Sequence, residues 1–367
     1  MERYAFRIVP FGCKAERNND RMSEKLVSTK INIGVVGAGS WGTALAKLLA
    51  DKGFGLDLWV FEPEVKEQIE KDRENRFFLP GFKLPEHIRP TNDIEQAVAE
   101  KDLVLMVVPS HCMRDTALKM KPFIRHGTVL VTASKGIENK THLTMTQILK
   151  EIIDFIPEEN LAVLSGPSFA REVADGVPTV VAAASINRAV AEYVQEIFSC
   201  PTFRVYVNDD PIGTQIGGAM KNVLAIAAGI CDGMEMGLNP RAALITRGLT
   251  EMNRLGTRMG ADPLTLSGLA GVGDLLLTCT GELSRNYTVG KQIGQGKQLD
   301  EIISEMRMVA EGVKTTRSVY KLSQKLGVDL PICNEVYAVL FEGLSVKETV
   351  ERLMNRSLKH ELDGVID

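Results

Sequence analysis

The chain has 367 residues, of which 44% are hydrophobic and 25% charged, the composition of a globular protein long enough for two domains. A formal net charge of -4 leaves no basic excess for a nucleic-acid or membrane-surface footprint, so we expect a protein that acts on a small molecule, without nucleic-acid partners or membrane insertion. The scattered cysteines indicate reduced thiols, which predicts a cytoplasmic protein. The six cysteines and five histidines lie at no metal-ligand spacing, so no metal site is predicted.

Residues 1–30 precede the first predicted element. They mix both signs of charge and lack the apolar stretch of a secretory signal, which predicts a flexible extension. The longest nearly apolar run of the chain, 216–230, is too short to cross a bilayer.

Two domains follow this extension. Over residues 31–210, short β-branched runs alternate with helical stretches, which predicts an α/β class with a Rossmann-like doubly wound sheet. The candidate strands, of the kind expected in a parallel sheet, are 31–36, 56–61, 103–108, 128–132, 161–164, 180–184 and 203–207. The strand pattern then stops, and glycine-broken helical periodicity over 211–360 predicts an all-helical domain for substrate and catalysis.

A glycine motif follows the first predicted strand. It reads Gly37-Ala38-Gly39-Ser40-Trp41-Gly42, and a helical composition comes directly after it. Gly37 permits a tight turn, Gly39 lets the backbone approach a pyrophosphate, and Gly42 lets helix and strand pack closely. A simple turn before a helix is the alternative, but the order of strand, motif and helix predicts a dinucleotide site.

The second predicted strand ends in an acidic residue. Glu62 lies about twenty residues after the motif, where a carboxylate accepts hydrogen bonds from the adenosine ribose and repels a 2′-phosphate. This favours NAD over NADP as the cofactor. Nearby positive charge on Lys66, Arg73 and Arg76, or a Glu62 that only faces solvent, would weaken the preference.

Two polar segments follow predicted strands at their carboxyl ends, the edge where doubly wound sheets bind ligands. The first contains Lys135 and the second is Ser165-Gly166-Pro167-Ser168. Each fits a polar turn as well as a ligand contact.

An apolar helical run over 216–228 contains Lys221 and Asn222. Lys221 either snorkels to the surface or is desolvated, in which case its pKa falls from about 10.4 toward the range that suits proton transfer in alcohol oxidation. The residues alone leave both open. Asp274, a lone acid in a glycine-rich apolar stretch, would hold such an ammonium group or cap a helix.

Further on, Ser284-Arg285-Asn286 offers a hydroxyl, a guanidinium and an amide, which together suit a phosphate.

These segments together resemble the bacterial-type NAD(P)-dependent glycerol-3-phosphate dehydrogenases over nearly all of the chain after about Ile31. The motifs that carry the resemblance are GAGSWGTALA (37–46), VVPSH (107–111), SKG (134–136), SGPSFA (165–170), GGAMKN (217–222), LITRGL (244–249), GVGDLLLTCT (271–280), SRN (284–286) and VAEG (309–312). The resemblance implies interconversion of sn-glycerol 3-phosphate and dihydroxyacetone phosphate by hydride transfer, which supplies glycerol 3-phosphate for phospholipid synthesis. Two-domain dehydrogenases of this kind are often dimers, so a homodimer is expected.

The resemblance also implies residue roles. Lys221 would be the general acid/base, and the groups that shape the reaction site around it would be Asn222, Asp274, Lys135 and Thr278. The substrate phosphate would lie against Ser284, Arg285 and Asn286, with the pocket completed by Gly166 and Ser168. Besides the three glycines, the cofactor contacts would be Ser40, Trp41, Phe61, Glu62, Lys135, Ala170, Arg285, Val309 and Glu311.

One residue departs from the family pattern, because many bacterial members carry a basic residue where this chain has Phe61. Three other functions stay open: a hydroxy-acid or ketopantoate dehydrogenase, a sugar-nucleotide dehydrogenase with Cys279 as nucleophile, and a non-catalytic dinucleotide sensor. The phosphate-binding triplet argues against the first. The surroundings of Cys279 argue against the second, and a lysine within an apolar helix argues against the third.

Overall fold

The computed structural model describes residues 31–306, 310–358 and 360–361. The extension expected over residues 1–30 and the cofactor contact expected of Val309 both lie outside the described residues.

An eight-stranded sheet organises the N-terminal half. Its strands are β1 (Ile33–Val36), β2 (Leu56–Trp59), β3 (Ile88–Thr91), β4 (Leu103–Met106), β5 (Val129–Thr132), β6 (Leu161–Ser165), β7 (Thr179–Ala184) and β8 (Phe203–Asn208). The spatial order is β3-β2-β1-β4-β5-β6-β7-β8. Chain progression reverses between β1 and β4, which is where doubly wound sheets open a ligand crevice at their carboxyl edge. The predicted fold class is therefore confirmed.

The sheet differs from the sequence-based expectation in two ways. The sequence pattern does not predict β3, whose Ile-Arg-Pro-Thr carries a proline that a strand tolerates at the sheet edge, where only one side is paired. The sheet is parallel, as expected, except that β6 and β7 pair antiparallel. The chain between them forms one five-residue helix and stays at the carboxyl edge, so it does not cross back along the sheet.

Helices cover both faces of the sheet. They are α1 (Ser40–Asp51), α2 (Pro63–Asp72), α3 (Ile94–Val98), α4 (Met113–Met120), α5 (Met145–Ile152), α6 (Ala170–Ala174) and α7 (Arg188–Phe198). Alternate strand residues enter different cores, Val35 and Leu105 on one face and Val36 and Met106 on the other. Burial on both faces explains why the inner strands are almost continuously apolar in sequence.

The C-terminal part is helical. Its elements are α8 (Pro211–Gly233), α9 (Leu238–Arg258), α10 (Pro263–Leu266), a π-helical turn (Leu269–Gly273), α11 (Asp274–Thr280), α12 (Arg285–Gly294), α13 (Leu299–Glu305), α14 (Glu311–Leu326), α15 (Pro331–Phe341) and α16 (Val346–Met354). Helix α8 is the centre of this domain and is buried from Gly213 to Cys231. A Cβ on Gly229 would lie 2.1 Å from the Tyr287 carbonyl oxygen, so glycine allows the backbones of α8 and α12 to touch.

Among the described helices, one stretch, Pro263–Thr280, is long and apolar enough to cross a membrane by length and composition. The π-helical turn divides it, and 44% of it is buried within the protein. Core helices of soluble proteins meet the same test, so this stretch is weak evidence for a span.

Candidate active site

The glycine motif forms the turn between β1 and α1. Gly37 has a φ of 115° and its missing Cβ would lie 2.6 Å from the Val107 carbonyl oxygen, while a Cβ on Gly42 would lie 1.9 Å from the Gly37 carbonyl oxygen. The fold itself thus requires these two glycines. A Cβ on Gly39 would meet nothing within 4 Å. The first turn of α1 carries no acidic residue, so open space and free backbone N–H groups together fit an approaching pyrophosphate.

The two side chains after Gly39 differ in their engagement. The Ser40 hydroxyl donates to the Phe78 carbonyl oxygen at 2.6 Å. Trp41 and Ala170, the first residue of α6, pack against the same small apolar cluster, and the buried Trp41 Nε1 has no hydrogen-bond partner among the described residues. The sheet's carboxyl edge therefore brings Trp41 and Ala170, both expected at the cofactor, into one cluster.

The corner after β2 is open to solvent. Phe61 is 67% exposed and its ring meets that of Trp59 edge-on, with centroids 6.0 Å apart. Glu62, half-buried at the start of α2, has no side-chain hydrogen bond or ion pair within the described part of the chain. Its carboxylate is available to a ligand.

The three cations near Glu62 have partners elsewhere on the protein. Lys66 pairs with Glu70 at 2.8 Å, and Arg76 pairs with Asp72 at 3.3 Å. The Arg73 guanidinium donates to backbone carbonyls, among them that of Ile88 at 3.1 Å. These ion pairs and hydrogen bonds reduce the positive charge available to a 2′-phosphate.

A buried carboxylate joins two lysines between the sheet and the helical domain. Lys221 in α8 is 8% exposed, and its Nζ lies 2.7 Å from Asp274 Oδ1 and 2.8 Å from Thr278 Oγ1. The other carboxylate oxygen, Asp274 Oδ2, lies 2.5 Å from Lys135 Nζ. Burial lowers the pKa of Lys221 to about 8, although Asp274 opposes the change. Lys221 does not snorkel to the surface, and the sequence-based alternative of desolvation is the one observed.

Close backbone contacts set this geometry. A Cβ on Gly217 would lie 2.2 Å from the Ala270 carbonyl oxygen, so α8 packs directly on the π-helical turn that precedes Asp274. A Cβ on Gly218 would lie 3.0 Å from Ser165 Oγ and 3.4 Å from Lys135 Cγ. The stem of Lys135 therefore passes beside a glycine on its way to Asp274.

The second polar segment, after β6, contacts Lys135. Lys135 Nζ also donates to the Gly166 carbonyl oxygen at 3.3 Å, and the Ser168 hydroxyl donates to the same oxygen at 3.1 Å. The segments after β5 and β6 thus meet at the carboxyl edge, as their positions in the sequence predict.

The triplet Ser284-Arg285-Asn286 begins α12 and has three different local roles. Ser284 caps the helix by accepting the Tyr287 N–H at 3.2 Å. The Asn286 amide donates to Asn222 Oδ1 at 2.9 Å and accepts the Gly312 N–H at 2.9 Å. The exposed Arg285 makes no hydrogen bond or ion pair within the described residues, and the Glu311 carboxylate is the charged group that acts on it.

Sequence reasoning does not single out Ser110, which lies just after β4. Its hydroxyl donates to Glu311 Oε2 at 2.6 Å, joining two residues 201 positions apart. The resemblance in the VVPSH segment marks the region, but no local signal indicates the contact.

Cys279, the candidate nucleophile of one alternative, is fully buried, and burial raises its pKa to about 12, which disfavours the thiolate. Within the described residues, no group of three or more His, Cys, Asp or Glu side chains could hold a metal ion.

Comparisons with known proteins point to one family. Models of the NAD-dependent glycerol-3-phosphate dehydrogenase N-terminus and C-terminus match residues 32–191 and 210–351. The chain is 54% identical over 331 residues to glycerol-3-phosphate dehydrogenase [NAD(P)+] of Syntrophobacter fumaroxidans, covering 90% of this chain and 97% of that protein. It is 56% identical over 329 residues to the protein of the same name from a Geobacter species, covering 90% and 98%. The crystal structure of glycerol-3-phosphate dehydrogenase from Coxiella burnetii matches with a TM-score of 0.86 and 39% identity, covering 89% of this chain and 99% of that one.

Proposed function

Since the chain belongs to the NAD-dependent glycerol-3-phosphate dehydrogenase family, we propose that Lys221 is the general acid/base of its reaction. The protein is an oxidoreductase that interconverts sn-glycerol 3-phosphate and dihydroxyacetone phosphate with NAD(P). The observation that carries the proposal is the buried contact of Lys221 with Asp274 and Thr278, at 2.7 and 2.8 Å.

Proton transfer is the part of the reaction that this side chain can perform. In the oxidation direction, the neutral Lys221 amine accepts the proton of the C2 hydroxyl. In the reduction direction, its ammonium group donates a proton to the carbonyl oxygen at C2. The nicotinamide cofactor, when bound, supplies the acceptor or donor of the hydride at C2. A pKa near 8 lets Lys221 serve in both directions close to neutral pH.

Asp274 and Lys135 adjust this proton transfer. The Asp274 carboxylate orients the Lys221 ammonium and stabilises its charge, while the Lys135 ammonium at the other carboxylate oxygen lowers the proton affinity of Lys221. The Thr278 hydroxyl accepts a hydrogen bond from Lys221 and donates one to the Asp274 backbone carbonyl oxygen at 2.6 Å. Asn222, the next residue of α8, is held in the same wall of the cleft by Asn286.

The substrate phosphate is proposed to lie at the start of α12. Arg285 offers an unpaired guanidinium there, and the first-turn N–H groups carry the positive end of the helix dipole. Ser284 and Asn286 support this end of the helix through their internal hydrogen bonds. Gly166 and Ser168, which are hydrogen-bonded to each other, are proposed to complete the pocket from the sheet domain.

We propose NAD as the preferred cofactor. Glu62 is unpaired and the neighbouring cations are engaged elsewhere, so a 2′-phosphate would meet net negative charge. The test is the ratio of kcat/KM for NADH to that for NADPH. Glu62→Gln should lower this ratio about tenfold, the effect of about 1.4 kcal/mol of repulsion, while Glu64→Gln on the same helix should leave it unchanged. A wild-type preference for NADPH would contradict the proposal.

Several wider properties are proposed from the family resemblance and composition. They are a cytoplasmic location without membrane insertion, a homodimer, supply of glycerol 3-phosphate for glycerophospholipid synthesis, and domains spanning residues 31–210 and 211–360. Sedimentation of the purified protein tests the dimer.

The acid/base role is tested with Lys221→Ala. Removing the proton-transfer group should lower kcat about a thousandfold, followed as the absorbance of reduced nicotinamide with dihydroxyacetone phosphate, while NADH binding persists. Lys101→Met is the matched control, because Lys101 is also a buried lysine, paired with Asp57 at 2.5 Å in the sheet domain. It should lower stability and leave kcat near the wild-type value. Wild-type kcat in Lys221→Ala, or an equal loss in both variants, would contradict the role.

A further inference from the structure

We propose that Ser110 is a positioning residue that holds the Glu311 carboxylate in place for cofactor binding, across the boundary between the sheet domain and the helical domain. The inference rests on the proposed function, in which Glu311 contacts the cofactor. Nothing in the resemblance gives Ser110 a role.

The contact joins the ends of two elements. Ser110 begins a 3₁₀ turn, Ser110–Cys112, just after β4, and Glu311 is the first residue of α14. The Ser110 hydroxyl donates to Glu311 Oε2 at 2.6 Å, and the Ser110 backbone amide adds a second hydrogen bond to the carboxylate. Since Ser110 is only 5% exposed, water does not readily replace these bonds.

Ser110 is also fixed from its other side. Gly136, in the segment that carries Lys135, has a φ of 153°, and a Cβ there would lie 2.5 Å from the Ser110 Cβ. The loop after β4 therefore packs between the loop after β5 and helix α14. Through this packing, Ser110 connects the Glu311 carboxylate to the segment that bears Lys135.

The ionisation of the Glu311 carboxylate depends on the hydrogen-bond donors and charges around it. Burial raises the pKa of Glu311 above its usual value, and the Ser110 hydrogen bonds oppose that rise. The charged groups that face the carboxylate are Lys314 on its own helix and Arg285 on α12. The Lys314 charge also acts on His111 and Cys112, which lie beside Ser110 in the loop. Removing the Ser110 hydroxyl should therefore raise the pKa of Glu311 further, toward neutral pH.

The chain offers a matched control on the same helix. The Ser318 hydroxyl, on α14, donates to the Ile137 carbonyl oxygen at 2.8 Å and contacts Asn139 Oδ1 at 3.0 Å. Ser318 is fully buried and joins the same two domains, but its hydroxyl contacts no carboxylate among the described residues. Ser318→Ala thus removes a hydrogen bond between the domains and leaves Glu311 untouched.

NADH binding without substrate is the readout, because it is independent of turnover. Trp41 and Trp59 are the two tryptophans of the chain and both lie at the proposed cofactor site, so their fluorescence reports binding. Ser110→Ala should raise the Kd for NADH about tenfold at pH 7, the usual effect of losing a hydrogen bond to a charged group. The increase should be larger at pH 6 and smaller at pH 8.5. Ser110→Thr keeps the hydroxyl and should restore binding.

A double-mutant cycle separates positioning from general packing. Glu311→Gln should weaken NADH binding and remove its dependence on pH, and Ser110→Ala should then add nothing. The inference is overturned if Ser110→Ala binds NADH like the wild type, if it matches Ser318→Ala at each pH, or if the two substitutions add independently. Thermal unfolding checks that each variant is folded. If Ser110→Ala does not fold, the test rests on the NADH binding of the two variants Ser110→Thr and Glu311→Gln. If the wild type turns over substrate but Glu311→Gln leaves the Kd for NADH unchanged, this inference is overturned and the proposed function stands.

Discussion

Asp274→Asn gives a direct test of how the site sets the proton affinity of Lys221. The substitution keeps the shape of the side chain and removes the charge that lies 2.7 Å from Lys221 Nζ. Because this charge favours the ammonium form and Lys135 and burial oppose it, the pKa of Lys221 should fall below about 8.

The expected size of this change in the pKa of Lys221 follows from Coulomb's law. At an effective dielectric constant of about 20, two unit charges about 3 Å apart interact with roughly 6 kcal/mol. The amide that replaces the carboxylate would still accept a hydrogen bond, and the neighbouring lysines would relax, so only part of this energy should appear. A shift of at least one pH unit corresponds to about 1.4 kcal/mol.

The assay is the pH dependence of kcat/KM for glycerol 3-phosphate oxidation, which reports the free enzyme. It is followed from pH 7 to 10, above the second pKa of a phosphate ester, about 6. The wild-type rate should rise through about pH 8 as Lys221 loses its proton, and the Asp274→Asn profile should rise at least one pH unit earlier, with a lower plateau. Asp232→Asn is the control, since Asp232 pairs with Arg241 at 2.7 Å elsewhere in the helical domain. A profile that coincides with the wild type, or that moves to higher pH, would refute the reasoning.

Two further predictions concern packing and stability. In Gly218→Val, the new Cβ would lie 3.0 Å from Ser165 Oγ and the side chain would push against Lys135. The substitution should lower kcat/KM about a hundredfold, more than Gly218→Ala does. Equal kcat/KM values for the valine variant and the wild type would contradict this. Glu251, fully buried where it accepts the Ile332 N–H at 2.6 Å, has its pKa raised to about 7 by burial, so the folded state holds a proton that the unfolded state has released. Stability from this group should be full below about pH 4.5 and lost as the pH rises through 7, and urea unfolding should show a flatter pH dependence in Glu251→Gln; parallel curves would count against it.

The sequence alone determined the parts of this protein that depend on neighbours in the chain. A strand, a glycine turn and a helix follow one another within about twenty residues, and Gly37 and Gly42 are required by a local turn and by contact between adjacent elements. Strands β1 and β4 are apolar throughout because both faces are covered, and this is visible without the fold. For these reasons the fold class was predictable, and the position of the dinucleotide site stays a prediction.

The strand content and direction of the sheet were less accessible. Edge strand β3 is paired on one side only and so needs little apolar sequence, which leaves Ile-Arg-Pro-Thr without a strand signal. The antiparallel direction of β7 depends on whether the chain returns across the sheet after β6, and residue composition does not encode that choice.

Tertiary structure alone decided the chemistry of the site. Lys221 could have reached the surface from its helix, and it stays buried because Asp274 and Thr278 meet it in the interior, although Thr278 is 57 residues away in the chain. The contact of Ser110 with Glu311 spans 201 residues and leaves no trace in either segment. Charge, burial and hydrogen bonding act over a few ångströms in space, whereas periodicity and motifs report only on residues that are close in sequence.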